Sequence, residues 1–374
     1  MNGRAVVCFL KKEAVLCLSF LAALISVFLV LPDEKYGTYI DARVLILLFC
    51  LMAVVSGFRE AGILSRVSSL FLRRAASSRR LGISLVLLCF FCSMLLTNDV
   101  ALLTFVPLCI AVMQSVCPKG TAITVVLMTV AANLGSMATP VGNPQNLYLY
   151  GYYQLNPAEF FSVVLPTVGI SFLLLLAAGQ LIPSEKIRPV LTGEESEKPV
   201  EKKRAMLFGV LFLLALLAVL RVVPEWPLLG ITVGVLLLFS RRTFLRVDWG
   251  LLLTFVFFFV FVGNLGRMEP VYQAVAAWTK GSELWCGLLL SQGISNVPAA
   301  MMLAPFAENG RALLLGVNIG GLGTLVASLA SLISFKLYTA HLPGKGGRYL
   351  LLFTAINLLF LLPVVGLAVW MGWT

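Results

Sequence analysis

The stretch Leu96–Leu108 reads LTNDVALLTFVPL, and a related stretch, Ile294–Phe306, reads ISNVPAAMMLAPF. Aligning Asn98 with Asn296 also aligns an alanine and a proline further along. Both stretches put polar residues inside long apolar sequence. Polar islands are costly in lipid unless they line a cavity, so the two stretches are candidates for one buried site.

A second pair of motifs follows the first pair in each half of the chain. Asn133–Thr139 reads NLGSMAT, and Asn318–Thr324 reads NIGGLGT, so that their first asparagine, first glycine and final threonine align. Each motif lies in the middle of a long apolar stretch, which we interpret as a transmembrane helix that is broken halfway. Matching islands in two halves are typical of transporters that bind a substrate where broken helices meet.

The composition is that of a membrane protein. The 374 residues are 60% hydrophobic and 12% charged, with a mean hydropathy of +0.97. A soluble domain could not bury so much apolar surface, so we expect an all-α polytopic protein in a lipid bilayer. The net charge of +11 does not indicate a nucleic-acid partner, because the cations lie at helix ends and are not interleaved with aromatic residues. The eight cysteines are expected to be core residues, so no cofactor is predicted.

The apolar windows predict about nine full spans plus two re-entrant hairpins. The first arms of the hairpins, Leu81–Leu96 and Leu284–Ile294, would reach about 24 Å and about 16 Å, short of a bilayer core of about 30 Å. The predicted parts are an N-terminal span (1–40), repeat 1 (41–182, with a hairpin at 81–116 and a broken helix at 121–150), a cytoplasmic linker (183–204), connecting spans (205–246), and repeat 2 (247–374, with a hairpin at 284–307 and a broken helix at 312–338).

Positive charge favours an inverted arrangement of the two repeats. We place the N-terminus in the cytoplasm and let each hairpin return to the side that it entered. Only six of the 28 Lys and Arg residues then lie outside, namely Lys35, Arg43, Arg221, Arg267, Lys280 and Arg311. The positive-inside rule predicts such a bias. We therefore expect a multi-pass protein of the cytoplasmic (inner) membrane with a cytoplasmic N-terminus and an external C-terminus.

The hairpin tips carry Thr97, Asn98 and Asp99 in the first repeat and Ser295 and Asn296 in the second. These side chains can cap the helix that restarts there, or they can bind a small ion together with the helix N-terminus. We favour a binding site over capping alone, because both tips adjoin broken helices. Asp99 is the only carboxylate predicted deep in the membrane, and it is our candidate for coupling to Na⁺ or H⁺.

The broken helices add a second group of candidate ligands. Gly135 and Gly320 allow unwound backbone whose carbonyls can face an ion, although glycine also permits close helix packing. Pro140 and Pro144 stop the first helix, whereas leucines replace them in the second half and predict a milder break. The polar side chains that supply further oxygens are Asn133, Thr139, Asn143, Asn318 and Thr324.

These motifs resemble the ion transporter superfamily, which holds divalent anion/sodium symporters, citrate-type permeases, arsenite/antimonite permeases and a class of sodium/proton antiporters. The TPVGNPQN stretch at Thr139–Asn146 is similar to the ATPxGxPxN signature of that superfamily's first broken helix. The TND and SN tips occupy the place of its Ser-Asn-Thr tips. The NDxxLLxxxPL and NIGxxxTLxxSLA patterns look closer to the arsenite permease and antiporter branches.

The resemblance implies a cation site at Thr97, Asn98 and Gly135. It gives that site symmetry mates at Ser295, Asn296 and Gly320. It also implies a transport half that slides as an elevator against a dimeric scaffold, and hence a homodimer.

From residues and resemblance together, we expect a secondary active transporter for a small inorganic or organic anion, driven by Na⁺ or H⁺. The alternatives are a sodium/proton antiporter with Asp99 as the exchanger, an arsenite-type efflux permease, and a passive channel. An enzyme is not expected, because no His and only one carboxylate are placed in the membrane for acid/base or metal chemistry.

Overall fold

A computed structural model describes residues 13–72, 76–186 and 200–373. This part of the chain is all-helical, and an isolated β-bridge joins Ser77 to Lys186. Most of the predicted linker lies outside the described residues. The nineteen α-helices of the described part are α1 Ala14–Leu29, α2 Tyr36–Tyr39, α3 Ala42–Glu60, α4 Ile63–Leu72, α5 Ser78–Leu96, α6 Asn98–Val116, α7 Thr121–Ser136, α8 Pro144–Tyr152, α9 Pro157–Ala178, α10 Lys202–Val219, α11 Glu225–Phe239, α12 Arg241–Leu245, α13 Trp249–Arg267, α14 Glu269–Thr279, α15 Glu283–Ile294, α16 Asn296–Leu303, α17 Gly310–Ile319, α18 Leu329–His341 and α19 Gly346–Trp370.

Six helices of the described chain are long and apolar enough to cross a membrane: α3, α5, α6, α13, α19, and α9 with the short turn that extends it to Leu181. The protein is therefore a polytopic membrane protein, as predicted. Six is fewer than the nine full spans expected. Only four of the six, α3, α9, α13 and α19, belong to those nine, because α5 and α6 are the arms of a predicted hairpin. Of the other five expected spans, α1 and α11 are shorter than 18 residues, α10 begins with three cations in a row, Lys202 to Arg204, and the two broken spans are each divided into shorter helices.

Two helix pairs form hairpins. Hairpin 1 consists of α5 and α6, which are separated only by Thr97; hairpin 2 consists of α15 and α16, which are separated only by Ser295. At the base of hairpin 1, the start and the end of the pair meet at Glu185, whose carbonyl accepts from Ser78 N at 3.0 Å and whose Oε1 accepts from Cys117 Sγ at 3.4 Å. In hairpin 2, Glu283 Oε1 at the start of α15 accepts from Asn309 N, which follows the end of α16, at 3.3 Å. The two helices of each pair therefore run antiparallel.

The first arm of hairpin 1 is longer than predicted. It begins at Ser78 instead of Leu81, because the Ser77 hydroxyl caps it by accepting from Arg80 N. Its 19 residues reach about 28 Å, close to the thickness of a bilayer core. The arms of hairpin 2 have only 12 and 8 residues, so this hairpin is short, as predicted.

Two helices are interrupted where broken spans were predicted. Residues 137–143 separate α7 from α8 (break 1), and residues 320–328 separate α17 from α18 (break 2). The expectation of a milder second break was wrong, since break 2 is the longer one. Break 2 has no proline at which to restart the helix, and its glycines extend the irregular backbone as far as Gly323, at φ +110°.

The hairpins and broken helices form one packed unit. Within each half, α5 packs on α7 and α15 packs on α17; between the halves, α6 packs on α18 and α16 packs on α8. The interrupted helix α7–α8 starts at the base of hairpin 1, where Gln114 bonds to Thr121, and ends at the base of hairpin 2, where Tyr153 OH donates to the Ala304 carbonyl at 2.8 Å. The two hairpin bases therefore lie at opposite ends of the molecule.

Candidate functional site

The two breaks meet in a network of buried asparagines at the centre of the packed unit. Asn133, on the last turn of α7, donates its Nδ2 to the Gly321 carbonyl at 3.2 Å and to Ser331 Oγ at 3.4 Å. Its Oδ1 accepts from Ser328 Oγ at 3.0 Å. These three partners belong to the opposite half of the chain.

Asn318, on the last turn of α17, makes the reciprocal contacts. Its Nδ2 donates to Asn146 Oδ1 at 2.6 Å, and its Oδ1 accepts from Asn143 Nδ2 at 3.1 Å. The alignment of the two sequence motifs, continued along the chain, also places Asn143 on Ser328 and Asn146 on Ser331. Equivalent residues of the two halves therefore exchange equivalent contacts across the centre.

Both hairpin tips have the same strained backbone. Thr97 adopts φ 70° and ψ 149°, and Ser295 adopts φ 77° and ψ 154°. This region is almost restricted to glycine and costs about 1–3 kcal/mol for other residues. Because the strain recurs at both equivalent positions, it belongs to the shape of the site, as strained residues commonly do.

The tip asparagines contact residues at or next to the breaks. Asn98 and Asn296 each accept the next residue's backbone N–H on Oδ1, at 3.0 Å in both cases, and so give one N–H of the first turn a partner. Asn98 also donates its Nδ2 to Asn133 Oδ1 at 3.1 Å. Asn296 instead bonds through its backbone N–H to the Ala327 carbonyl at 3.0 Å, and Gly321 leaves room for its amide group.

Counting donors shows which asparagines are free to bind a ligand. Asn133, Asn143 and Asn318 each place their Nδ2 on two acceptors, so their donors are used within the protein. Within the described residues, Asn98 uses one of its two amide hydrogens and Asn296 Nδ2 has no hydrogen-bond partner. The spare donors of the site are therefore at the tips.

Asp99 begins the first turn of α6 and is half-buried. Its Oδ1 is buried and, within the described part of the chain, has no hydrogen-bond partner. A buried carboxylate oxygen without a partner is costly, and this makes Asp99 the least satisfied acceptor of the site.

Thr139 and Thr324 attach the breaks to the hairpins. Thr139 Oγ1 donates to the Met94 carbonyl, and Thr324 Oγ1 donates to the Gln292 carbonyl at 2.9 Å. Both hydroxyls therefore fix equivalent breaks to the first arms of equivalent hairpins. The structure uses these two predicted site residues as anchors.

Gly135 and Gly320 are points of close approach between helices. A Cβ at Gly135 would collide with the Phe90 carbonyl and Ser93 of α5, and one at Gly320 would lie 2.8 Å from Ser291 of α15. The Gly135 carbonyl accepts a turn bond from Ala138 N at 3.0 Å. Of the two functions considered for these glycines, the contacts favour packing.

Sequence reasoning missed three residues that hold the site together: Ser136, Gln292 and Ser331. Ser331 could have been found, because the alignment of the two broken helices places it on Asn146. Gln292 could have been noticed as an amide in an otherwise apolar hairpin arm. Ser136 Oγ accepts from Asn143 Nδ2 at 3.2 Å, and nothing in the sequence pattern marks it.

Comparisons with known proteins agree with this architecture. A family model described as a citrate transporter (CitMHS) matches residues 6–312. An uncharacterized transporter of Methanocaldococcus jannaschii is 30% identical over 336 residues, which cover 88% of this chain and 90% of that protein. The inner membrane protein YbiR of Escherichia coli is 32% identical over 317 residues, 84% of either chain. A Dictyostelium discoideum protein described as an arsB transporter is 33% identical over 146 residues, 38% of this chain and 25% of that protein.

The family match and the first two alignments extend over most of the chain. They agree with the six long apolar helices and with a polar site enclosed at the centre of the helices. On these grounds the chain belongs to the citrate transporter family of the ion transporter superfamily, a family of membrane transporters and not of enzymes.

Proposed function

We propose that the protein is a secondary active transporter that carries a small inorganic or organic anion across the cytoplasmic membrane, coupled to Na⁺ or H⁺. The observation that carries this proposal is the exchange of equivalent contacts between the two breaks at Asn133 and Asn318. Sites built where broken helices cross suit alternating access, because a limited movement exposes them to the other side. The family description names citrate, and for this chain we propose the wider class of small anions.

The proposal includes two repeats of inverted topology with re-entrant hairpins. It is supported by the hairpin bases at opposite ends of α7–α8 and by the matched packing of α6 on α18 and of α16 on α8. Hairpin 2, with arms of about 18 Å and about 12 Å, is too short to cross a bilayer core of about 30 Å. The charge bias favours a cytoplasmic N-terminus and an external C-terminus, and the E. coli relative is an inner membrane protein.

The anion would bind between the two tips, on the spare amide hydrogens of Asn98 and Asn296 and the N-termini of α6 and α16. Amide donors and helix N-termini both favour anions. The coupling ion would bind at Thr97, Asn98 and Asp99. We do not include Gly135 as a ligand, because its close contact with Phe90 and Ser93 of α5 already accounts for a glycine at this position.

An elevator movement is supported by the position of the site along α3. Leu96 and Val100, which flank the tip of hairpin 1, pack against Val55 and Phe58 on the last two turns of α3. The site therefore lies toward the Glu60 end of α3, which is the cytoplasmic end in the proposed topology. A second copy of the chain would stabilise the helices against which the transport unit slides, so we propose a homodimer.

Thermal stability of the detergent-purified protein tests the function. A ligand that binds only the folded state raises stability by RT ln(1+[L]/Kd). We expect stabilisation by Na⁺ or by a pH change, and further stabilisation by one anion from a panel of citrate, succinate, phosphate, sulfate and arsenate. Uptake of that anion into proteoliposomes should then require the same ion gradient. If no anion stabilises the protein or enters the vesicles, anion transport is wrong.

Antiport and arsenite-type efflux are the second candidate functions. They are favoured by the similarity to the D. discoideum arsB relative over 146 residues and by Asp99 Oδ1, which is buried and has no hydrogen-bond partner among the described residues. Antiport predicts that cations and pH change the stability while no anion does. Arsenite efflux predicts stabilisation by arsenite and no effect of the anion panel.

A further inference from the structure

The two breaks are stabilised by different means. Break 1 is stabilised from within: Asn146 Nδ2 donates to the carbonyls of Met137 at 3.2 Å and Thr139 at 3.0 Å, and Pro140 and Pro144 restrict its backbone. Break 2 lacks the prolines and has Ser331 in the place of Asn146. Its carbonyls need another donor, because unpaired carbonyls are costly at membrane depth.

Gln292, on the first arm of hairpin 2, supplies that donor. Its Nε2 donates to the carbonyls of Gly320 at 2.8 Å and Leu322 at 3.0 Å, and its Oε1 accepts from Thr324 N at 3.0 Å. Gly323 lies so close to Gln292 Oε1 that a Cβ there would collide with it. The Gln292 amide group therefore binds the backbone of residues 320–324 through two donated hydrogen bonds and one accepted hydrogen bond.

The residue at the equivalent position in the first half cannot donate to the carbonyls of break 1. The alignment that places Asn98 on Asn296 also places Met94 on Gln292. Both residues accept a threonine hydroxyl on their backbone carbonyl, so the positions are equivalent in structure as well as in sequence. Methionine has no donor for the carbonyls of a break. Only the second half has an amide in this position, and only the second break lacks its own prolines.

We propose that Gln292 is the positioning residue of break 2, and that it joins this break to hairpin 2 so that the two move as one body. Break 1 keeps its shape through its own Asn146 and prolines. Asn296 and the residues of break 2 that face it would then approach or leave the ligand together. The consequence for transport rests on the proposed function, whereas the consequence for the shape of break 2 does not.

The first test is amide hydrogen exchange of the purified full-length protein. Gln292→Met should accelerate exchange in residues 320–328 by roughly tenfold or more and leave residues 137–143 unchanged. Gln114→Met, which removes another half-buried amide far from the breaks, is the matched control. If Gln292→Met does not fold, Gln292→Glu keeps the length and the acceptor and removes the donors of the ionised side chain, so the same local acceleration is expected.

A rescue variant separates positioning from general destabilisation. Leu329 is the first residue of α18, where proline is favoured, and Ser328 before it is extended at φ −142° and ψ 135°, as a residue before proline must be. Leu329→Pro copies Pro144 of the first half. Added to Gln292→Met, it should slow the exchange of residues 320–328 toward the wild-type rate.

Transport provides a separate readout, with radiolabelled citrate as the probe in proteoliposomes. Gln292→Met should raise the KM roughly tenfold with a smaller change in kcat, and Leu329→Pro should restore part of the KM. Unchanged exchange in Gln292→Met, equal acceleration in both breaks, or no rescue by Leu329→Pro would overturn the positioning function. A wild-type protein that does not move citrate would count against the substrate class and leave the exchange result standing.

Discussion

At the scale of single residues, Asp99 differs from the other polar groups of the site because its Oδ1 is buried without a hydrogen-bond partner in the described chain. If Asp99 is the coupling group, Asp99→Asn removes the negative charge that binds Na⁺ or exchanges a proton there. We expect ion-coupled uptake to fall at least about tenfold, and the dependence of thermal stability on pH or Na⁺ to disappear. Glu308→Gln, at the exposed base of hairpin 2, is the control and should behave as wild type. Normal coupling in Asp99→Asn would exclude Asp99 as the coupling residue.

The crossed asparagines make a second residue-scale prediction. Asn133→Ala leaves the Asn98 amide, the Ser328 hydroxyl and the Gly321 carbonyl without their buried partner, and each lost partner costs about 1–3 kcal/mol. We expect a loss of roughly 2–4 kcal/mol in the free energy of unfolding, measured by titration with SDS in mixed micelles. Asn309→Ala removes only the cap of α17, so its expected loss is smaller, about 0.5–2 kcal/mol. Equal losses in the two variants would contradict the network.

These residues also show how much of the site could be predicted from the sequence. The repeated motifs identified Asn133 and Asn318, because polar groups that recur inside apolar sequence indicate a shared site, and the polar stretch after the first motif added Asn143. The motifs could not show that Asn133 binds the other half's break, since an alignment relates equivalent residues without saying which of them touch. Gln292 was missed for a similar reason: no repeat marks a residue whose counterpart is methionine.

At the scale of elements, the contact of α7, α18 and α19 contains a chain of three fully buried hydroxyls. Thr129 donates to the Val125 carbonyl at 2.8 Å, so it accepts from Ser334 at 2.6 Å, and Ser334 in turn accepts from Tyr349 at 3.2 Å. The direction of every bond follows from the first, because each hydroxyl has one hydrogen. The chain thus ties the second half's α18 and α19 to the first half's α7.

The equivalent contact in the other half is apolar. The alignment of Asn133 with Asn318 places Thr129 on Leu314 and Leu149 on Ser334, and both leucines are fully buried. Each half has an aromatic pair with a similar centroid distance: Tyr150 and Phe160 at 5.8 Å in the first half, and Phe335 and Tyr349 at 5.7 Å in the second. The two related contacts therefore differ in polarity although their helices pack alike.

A double-mutant cycle tests the hydroxyl chain. Ser334→Ala leaves the buried Tyr349 hydroxyl without its acceptor and should cost about 1–3 kcal/mol in the free energy of unfolding. Tyr349→Phe removes that hydroxyl and should cost less. The double variant should be more stable than the sum of the single effects predicts, by at least about 0.5 kcal/mol. Thr339→Ala, farther along α18, is the control. Additive effects would show that the two hydroxyls do not interact.

The elements themselves were predicted unevenly. The tips and the interrupted helices were expected at the correct residues, because a hydroxyl or amide at a helix start and a Gly-rich island are local signals. The length of hairpin 1 and the length of break 2 were not predicted correctly. The Ser77 cap that lengthens α5 lies in a charged segment that the apolar windows left out, and the shape of break 2 depends on Gln292, a contact between elements.

At the scale of the whole molecule, the proposed topology and the position of the site make one joint prediction about access. Hairpin 1 would have its base in the cytoplasm, hairpin 2 would have its base outside, and the tip of hairpin 1 lies near the Glu60 end of α3. In a variant whose native cysteines are replaced by alanine, a membrane-impermeant maleimide should therefore label the exposed positions Ser115→Cys and Glu308→Cys from opposite sides of the membrane.

The half-exposed tip position Thr97→Cys makes the same experiment informative about the state of the transporter. In the described conformation it should be labelled in inside-out vesicles and protected in right-side-out vesicles, like Ser115→Cys. A coupling ion or anion that drives the cycle should then make Thr97 partly reactive from outside, because an elevator carries the tip along α3, whereas Ser115 and Glu308 keep their sides. Labelling of Ser115 and Glu308 from one side would overturn the inverted repeats. Labelling of Thr97 from the outer side alone would contradict the assignment of the Glu60 end to the cytoplasm.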